Sequence, residues 1–315
     1  MTGKPVGSPT VSNSEYIDAV NANQSLLHKF ESAINPTLWP SSSHGHYWVK
    51  TKYGLLRAVF QAIEDAKPNA DGIRILDVGS GTGSDLLMLR RILGSRGYSI
   101  DYYGVDASET RVAEAQENAL LLGYGDIHFY VDNAETLEHT EGNFDIVTSS
   151  EVIEHVPRPE AMIGAIARKL KPGGHLVLTT PTVTRTFVMF YRYLFRRMER
   201  ETRVMEDLSW DIVRGDPEKR GLGHISEMRV ERMCQLLQEN GLELVTLRRG
   251  FLTYGGYGWD RRPIMLALAL LLDRCLDLYY IFASRIALLR PRTFSVNGIY
   301  HARNRATKQP RHGDR

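Results

Sequence analysis

Apolar runs alternate with helix-period segments along the middle of this chain. Short runs rich in β-branched residues, such as GIRILDV at 72–78, are each followed by a segment whose apolar residues recur every three or four positions. Such alternation builds crossover units, so it predicts an α/β fold with a doubly wound, mostly parallel, seven-stranded sheet covered by helices on both faces. The first five predicted strands are 72–78, 100–106, 126–132, 144–150 and 175–180.

The pattern changes on either side of this region. Residues 181–222 are long, basic and irregular. Between the fourth and fifth strands, a short helix is predicted at 151–156 and a longer one at 159–170. The remaining predicted elements are helices at 19–39, 49–66 and 226–241, and strands at 242–249 and 293–304.

The chain therefore divides into a core and several flanking pieces. Both ends are polar enough to form disordered tails. The expected bounds are 1–14 for the first tail, 15–70 for an N-terminal helical cap, 71–182 for the core, 183–222 for a variable lid, 223–303 for the C-terminal part of the core with an amphipathic helical insertion at 263–290, and 304–315 for the second tail.

The composition is consistent with the predicted globular fold, and the distribution of charge adds information about partners. The 315 residues are 43% hydrophobic and 24% charged, which is typical of a globular protein. Cys234 and Cys275 match no disulfide or metal pattern and fit a cytoplasmic setting, and the polar first residues argue against a secretory signal. Residues 1–182 carry 15 Lys/Arg against 22 Asp/Glu, net −7, whereas residues 183–315 carry 24 against 15, net +9. The basic second half either meets an anionic partner or is simply a solvated surface.

Glycines and an acidic residue collect where the first predicted strand ends. Gly79, Gly81 and Gly83 alternate in the sequence DVGSGTG, and Asp77 precedes the first of them by two positions. Glycine lets the backbone approach a ligand closely, and open parallel sheets bind ligands beyond the carboxyl ends of their strands. A dinucleotide would require the third glycine one position later and a loop without the nearby carboxylate, so it is disfavoured.

The ends of the next two strands add to this site. Asp106 ends the second strand, where it can accept hydrogen bonds from both hydroxyls of a ribose. Asp132 and Asn133 end the third strand, where they can contact an adenine edge. A ligand with a ribose, an adenine and a positive, amine-bearing arm is S-adenosylmethionine.

Five segments together carry a family resemblance: ILDVGSGTG, YYGVDAS, FYVDNAETL, FDIVTSSEVIEHV and LKPGGHLVLTTPT. In their order and spacing they resemble the motifs of class I S-adenosylmethionine-dependent methyltransferases, well over 73–181 and more weakly over 223–250. The resemblance implies a Rossmann-like methyltransferase fold, with glycines against the methionine moiety and Asp77 near its ammonium group. The cofactor site that it implies comprises Asp77, Gly79, Ser80, Gly81, Gly83, Asp106, Ala107, Asp132, Asn133, Ala134 and Ser150.

A second cluster, EVIEH, follows the fourth strand. On a helix, Glu151, Glu154 and His155 would fall at i, i+3 and i+4 and point one way, with His224 as a candidate fourth metal ligand. The pattern resembles methyltransferases that make ubiquinone and others that methylate the 2′-hydroxyl at the 3′ end of small RNAs, where such residues bind a metal. A bound Mg²⁺ would lower the pKa of an acceptor hydroxyl and orient it. Alternatively, Glu151 caps the helix and His155 is a general base without a metal; both are the catalytic candidates.

The segment 263–290 is long and apolar, with a polar stripe that includes Asp273 and Arg274 and with arginines on both flanks. Its uninterrupted apolar run is too short to span a bilayer. It predicts an amphipathic helix that packs on the protein or in a homodimer, or that lies in a membrane interface. An apolar lid of this kind suggests a bulky, partly greasy acceptor.

The sequence thus favours an S-adenosylmethionine-dependent O-methyltransferase that acts on a bulky apolar small molecule or a lipid-linked acceptor. The expected location is the cytoplasm, including the inner face of the membrane. An RNA 2′-O-methyltransferase and a cofactor-binding protein without catalysis stay as alternatives. Because the sequence contains no recognisable RNA-binding module, a nucleic acid is the less favoured partner.

Overall fold

A computed structural model describes residues 43–66, 72–94, 97–183, 212–214, 226–249 and 297–305, and the single positions 271 and 275. The helices are α1 (Ser43–Ala66), α2 (Ser84–Gly94), α3 (Glu109–Leu121), α4 (Pro159–Lys169) and α5 (Val230–Glu239), with a short 3₁₀ helix at Ile153–His155. The strands are β1 (Ile73–Val78), β2 (Ile100–Asp106), β3 (Ile127–Val131), β4 (Phe144–Ser150), β5 (Leu170–Val183), β6 (Ile212–Arg214), β7 (Ser226–Arg229), β8 (Leu242–Arg249) and β9 (Asn297–Asn304).

The predicted doubly wound, mostly parallel sheet is confirmed. Its main body has the order β3–β2–β1–β4–β5–β9–β8, in which β1 to β5 are parallel and β9 runs antiparallel to both of its neighbours. Beyond this body, the last residues of β5 pair with β7, and β7 pairs antiparallel with β6. The reversal of strand order between β1 and β4 opens the crevice in which such folds bind ligands.

The hydrophobic core lies on both faces of the sheet. On one face α1, α2 and α3 contribute buried side chains such as Leu55, Leu86 and Val112. On the other face α4 and α5 contribute Met162 and Met233. Five of the six side chains of β1 are buried, as expected for a strand covered on both sides.

Four elements differ from the sequence prediction. The helix predicted at 49–66 begins earlier, at Ser43. The strand predicted at 175–180 begins earlier, at Leu170. Residues 226–229, predicted as the first turn of a helix, form β7 because they pair with β5 and β6. The helix predicted at 151–156 is wrong: only Ile153–His155 are helical, and Glu151 has a left-handed backbone with φ 57°.

Several predictions fall outside the described residues. They include the helix at 19–39, most of the lid at 183–222, and all of the segment 263–290 except positions 271 and 275. The helices within the described ranges include none that is long and apolar enough to cross a membrane.

Two histidines are buried side by side between β5 and β9. The Nδ1 of His175 lies 2.9 Å from the Nε2 of His301, and neither side chain is exposed. Burial lowers the pKa of His175, and Arg303 lowers it further, while Asp65 on α1 acts in the opposite direction. The folded protein therefore favours the uncharged form of His175.

This pair predicts a loss of stability in mild acid. Because the folded state binds a proton on His175 more weakly than the unfolded chain, stability is present above the unfolded-state pKa of about 6.5 and is lost as the pH falls below it. We expect the free energy of unfolding to decrease by up to about 1.4 kcal/mol for this residue between pH 7.5 and 5.5, measured by urea titration. His175→Gln should reduce this decrease, whereas His128→Gln, at an exposed position of β3, should retain it. Equal pH dependence in all three proteins would contradict the assignment.

Candidate functional site

The glycine loop, residues 79–83, connects β1 to α2 at the carboxyl end of the sheet. Gly79, Gly81 and Gly83 all have positive φ, at 75°, 54° and 82°. The backbone N–H groups of Gly79 and Ser80 both donate to the carbonyl oxygen of Val105, each at 2.8 Å, which ties the loop to the end of β2. The loop therefore needs glycine for its backbone conformation.

The three glycines differ in what surrounds them. A Cβ on Gly79 would lie 2.4 Å from a methyl carbon of Val152, and one on Gly83 would lie 2.7 Å from the Phe129 ring. A Cβ on Gly81 would meet no described atom within 4 Å. Gly79 thus allows the segment 151–155 to approach the loop, while Gly81 borders space that no described residue fills and that a ligand can occupy.

Asp106 lies beside that open space, at the end of β2. Its Oδ2 accepts a hydrogen bond from the Gly81 N–H at 2.9 Å, and its Oδ1 accepts one from the Ser108 N–H at 3.0 Å. The Asp106 side chain is half-buried, and the following Ala107 is exposed. A carboxylate fixed in this way keeps acceptor capacity on both oxygens, which suits a vicinal diol.

Asp77 is buried beneath the loop. Its Oδ1 accepts a hydrogen bond of 2.7 Å from the hydroxyl of Thr148 on β4. A buried carboxylate at this edge gives the site a negative charge, which favours a cationic ligand over a phosphate.

The connection from β3 to β4 carries the residues that were predicted to border the adenine. Asp132 is buried: its Oδ1 accepts from the Asn133 N–H, and its Oδ2 accepts from the His139 N–H and, at 2.6 Å, from the Thr140 hydroxyl. Asn133 is exposed and Ala134 is half-buried. Asp132 therefore holds the connection in shape, while Asn133 and Ala134 lie at its surface.

Glu135, in the same connection, is tied to the segment that follows His155. Its side chain is only 7% exposed, and its two carboxylate oxygens accept hydrogen bonds from the Arg158 backbone N–H at 2.6 Å and from Arg158 Nε at 2.9 Å. The Arg158 Nη2 also lies 2.8 Å from Glu135 Oε2. The pair joins the predicted adenine side of the site to the predicted acceptor side.

Removing the Arg158 guanidinium leaves a buried carboxylate with fewer donors. We expect Arg158→Met to lower the free energy of unfolding by about 1–3 kcal/mol, as measured by urea denaturation. Arg232→Met is the matched control, because Arg232 pairs with the half-exposed Glu239 at the surface, and its loss should be about 0–1 kcal/mol. Equal effects of the two substitutions would contradict a structural role for the contact between Arg158 and the buried Glu135 carboxylate.

The segment 151–155 does not present its acidic and imidazole groups on one helix face. Glu151 accepts a hydrogen bond from the Thr179 hydroxyl, whereas Glu154 is fully buried and accepts one from the Thr180 hydroxyl, each at 2.9 Å. The side chain of His155 is 38% exposed, and its Nε2 lies 3.9 Å from Glu154 Oε1. Ser150, another candidate, has its hydroxyl 3.0 Å from that of Thr179.

These positions bear on the two groups that the site was expected to hold. For Mg²⁺, the described candidates Glu151, Glu154 and His155 are not gathered as ligands: within the described ranges no group of three or more His, Cys, Asp or Glu side chains is arranged to hold a metal ion. The candidate ligand His224 lies outside those ranges. For S-adenosylmethionine the residues fit, because open space at Gly81 lies beside Asp106, and the buried Ser80 hydroxyl has no hydrogen-bond partner among the described residues.

Sequence reasoning missed the hydroxyl groups that surround this site. Thr148, Thr179 and Thr180 each donate to a carboxylate, and the Ser149 hydroxyl donates to the Val78 carbonyl oxygen. The signal was present in TSS and TTPT at the ends of β4 and β5. Because β1, β4 and β5 are adjacent in the sheet, hydroxyl groups near the end of one strand can donate hydrogen bonds to carboxylates near the end of the next.

The chain is similar to known methyltransferases. A family model described as a methyltransferase domain matches residues 48–247. A ubiquinone biosynthesis O-methyltransferase from Dechloromonas aromatica is 38% identical over 161 residues, which cover 51% of this chain and 64% of that protein. One of the same name from Leptothrix cholodnii is 34% identical over 119 residues, covering 38% and 48%. The chain thus spans about half the length of the first curated relatives that it matches.

Solved structures share the fold at low sequence identity. A Galdieria sulphuraria protein assigned to the sarcosine dimethylglycine methyltransferases superposes with a TM-score of 0.52 at 14% identity, covering 83% of this chain and 88% of that one. A chain from a Haloferax volcanii complex that contains a methyltransferase activator gives 0.50 at 16% identity, covering 83% and 94%. These likenesses support the fold alone.

Proposed function

This chain belongs to the methyltransferase-domain family, and on that premise we propose that it transfers a methyl group from S-adenosylmethionine to a hydroxyl oxygen of a bulky, apolar small molecule or lipid-linked acceptor. The observation that carries the proposal is the open space at Gly81 beside the carboxylate of Asp106. A backbone that a ligand can approach closely, next to an acceptor for two hydroxyls, suits the nucleoside part of the cofactor.

The cofactor site comprises the glycine loop with its neighbours. Asp106 accepts from the ribose hydroxyls, and Asp77 contributes the negative charge that favours the cationic end. Asn133 and the Ala134 amide border the adenine, with Asp132 holding their connection in shape. Ser80, Ala107 and Ser150 complete the lining.

Methyl transfer to a hydroxyl requires that the acceptor is oriented toward the methyl group and that its O–H proton is removed. S-Adenosylmethionine supplies a methyl group carried on a positively charged sulfur. As the acceptor gains the C–O bond and the sulfur–methyl bond breaks, the acceptor loses its O–H proton, which His155 or Glu151 accepts. The remaining contribution of the chain is to hold the acceptor in line and to exclude water.

The acceptor class is supported by the names of the relatives and by the apolar segment 263–290. Matched proteins are named ubiquinone biosynthesis O-methyltransferases, and ubiquinone is an apolar molecule. We assign 263–290 to acceptor binding, with packing on the protein or in a homodimer preferred over contact with a membrane surface. An RNA acceptor is the second candidate, because the residues after 182 carry a net charge of +9.

Two measurements test the proposal. Calorimetry should detect binding of S-adenosylmethionine and its product S-adenosylhomocysteine but not of NAD. Labelled S-adenosylmethionine should then transfer its methyl group to a short-chain prenylated catechol and not to a small RNA with a 3′-terminal 2′-hydroxyl. If the folded protein binds neither S-adenosylmethionine nor S-adenosylhomocysteine at millimolar concentration, the proposal is overturned. If only the RNA is methylated, RNA replaces the apolar molecule as the acceptor.

A further inference from the structure

Two neighbouring threonines at the carboxyl end of β5 each bind a different carboxylate of the segment 151–155. The Thr179 hydroxyl donates to Glu151 Oε1, and the Thr180 hydroxyl donates to Glu154 Oε2. We call Thr179 and Thr180 the threonine pair. Both hydrogen bonds are 2.9 Å long, a normal length for a hydroxyl donor.

The threonine pair separates the two carboxylates. Successive side chains of a strand point to opposite faces of the sheet, so the hydroxyls of Thr179 and Thr180 lie on opposite sides of β5. The carboxylate groups that they hold are therefore also directed apart. This agrees with the finding that the described residues contain no cluster arranged to hold a metal ion.

Glu151 is held at several points. Its backbone is left-handed, which costs a residue with a side chain about 1–2 kcal/mol. Its N–H donates to the Thr179 carbonyl oxygen at 2.9 Å, and its carboxylate accepts from the Thr179 hydroxyl. Because Thr179 gives its one hydroxyl proton to the carboxylate, the Ser150 hydroxyl is the donor in its 3.0 Å contact with Thr179. The result is a directed chain from Ser150 through Thr179 to Glu151.

Glu154 is held differently. Its side chain is fully buried, so its oxygens depend on protein donors. Thr180 supplies one such donor, and the other oxygen lies 3.9 Å from Nε2 of His155, whose ring reaches the surface. The buried carboxylate of Glu154 therefore lies behind a partly exposed imidazole, close enough to act on it electrostatically.

From these contacts we propose that Thr179 and Thr180 are positioning residues, which hold Glu151 and Glu154 in separate places so that the two carboxylates have different roles. Thr179 fixes Glu151 beside the acceptor, and Thr180 fixes Glu154 behind His155, so the two carboxylates do not share a metal ion. The inference rests on the proposed function, since it takes the segment 151–155 as the acceptor side of a methyltransferase site.

Valine and serine substitutions separate the role of each hydroxyl from that of its shape. With labelled S-adenosylmethionine at saturation and a short-chain prenylated catechol as the probe, we expect Thr179→Val and Thr180→Val each to lower kcat by about 10- to 100-fold. Affinity for S-adenosylhomocysteine should stay within about twofold. Thr179→Ser and Thr180→Ser should recover kcat to within about threefold of wild type, because they retain the hydroxyl. Thr182→Val, at another buried threonine of β5, controls for the loss of a buried hydroxyl as such. Valine and serine variants with equal kcat would overturn the proposal.

A second measurement does not depend on the acceptor. Crystals of the wild-type protein with S-adenosylhomocysteine and Mg²⁺ should show Glu151 and Glu154 apart with no ion between them, and crystals of Thr179→Val should show Glu151 released from its left-handed conformation. An Mg²⁺ ion bound by both carboxylates, or an unchanged Glu151 in Thr179→Val, would overturn the positioning roles. If S-adenosylhomocysteine binds but the catechol is not methylated, the acceptor assignment is wrong. The positions of Glu151 and Glu154 in the crystals then test the positioning roles of the threonine pair by themselves.

Discussion

Asp106→Ala is expected to lower the affinity for S-adenosylhomocysteine by more than about 100-fold, because two hydrogen bonds to a charged acceptor contribute about 1.5–3 kcal/mol each. The substitution also removes the acceptor for the Gly81 and Ser108 N–H groups, so the glycine loop loses part of its support. Isothermal titration calorimetry measures the affinity, and thermal unfolding shows that the variant is folded.

Two further variants make the first prediction specific. Asp101→Ala removes an exposed carboxylate from the same strand and should leave the affinity within about twofold of wild type, since it makes no cofactor contact. Asp106→Asn retains one acceptor oxygen and should bind with an intermediate affinity. Unaltered binding by folded Asp106→Ala would show that the ribose lies elsewhere.

Gly81→Ala is expected to block the cofactor while leaving the protein folded. The added Cβ would meet no described atom within 4 Å, so its cost to stability is that of a left-handed alanine, about 1–2 kcal/mol. The same methyl group would occupy space that the cofactor needs. We expect affinity for S-adenosylhomocysteine to decrease by at least about tenfold, in line with overpacking costs of about 1–3 kcal/mol.

Gly123→Ala is the matched control for this second prediction. Gly123 also has a positive φ, 71°, and a Cβ there would likewise meet nothing within 4 Å among the described atoms. Gly123 lies between α3 and β3, away from the glycine loop. The two variants should lose similar stability in urea, and only Gly81→Ala should lose affinity. Equal affinities would mean that Gly81 does not border the cofactor.

The five parallel strands could be predicted because each is a short apolar run followed by a turn or a helical segment, and that pattern is visible in the local sequence. Asp77, the glycine loop and Asp106 follow directly from those strand ends. The family match confirms the resemblance to class I methyltransferases that these segments carry. Each of these features is local in sequence, or depends on a single rule about strand ends.

The predictions that failed depended on contacts between distant residues. Local spacing predicted a helix from Glu151, but Thr179 fixes that residue in a left-handed conformation from the next strand. Residues 226–229 are compatible with a helix, yet they pair with the end of β5. The hydrogen bond from the Thr140 hydroxyl to Asp132, eight positions earlier, was likewise not visible in the sequence. None of these pairings leaves a periodic signal in the sequence.

The position of β9 has a consequence for folding during synthesis. This strand lies inside the sheet, between β5 and β8, and it is made after all the other described strands. Until the ribosome has released residues 297–304, one long edge of β5 exposes its backbone donors and acceptors, and β8 has no described partner in the sheet. The nascent chain is therefore open to wrong edge pairing and to chaperone binding until this late strand inserts.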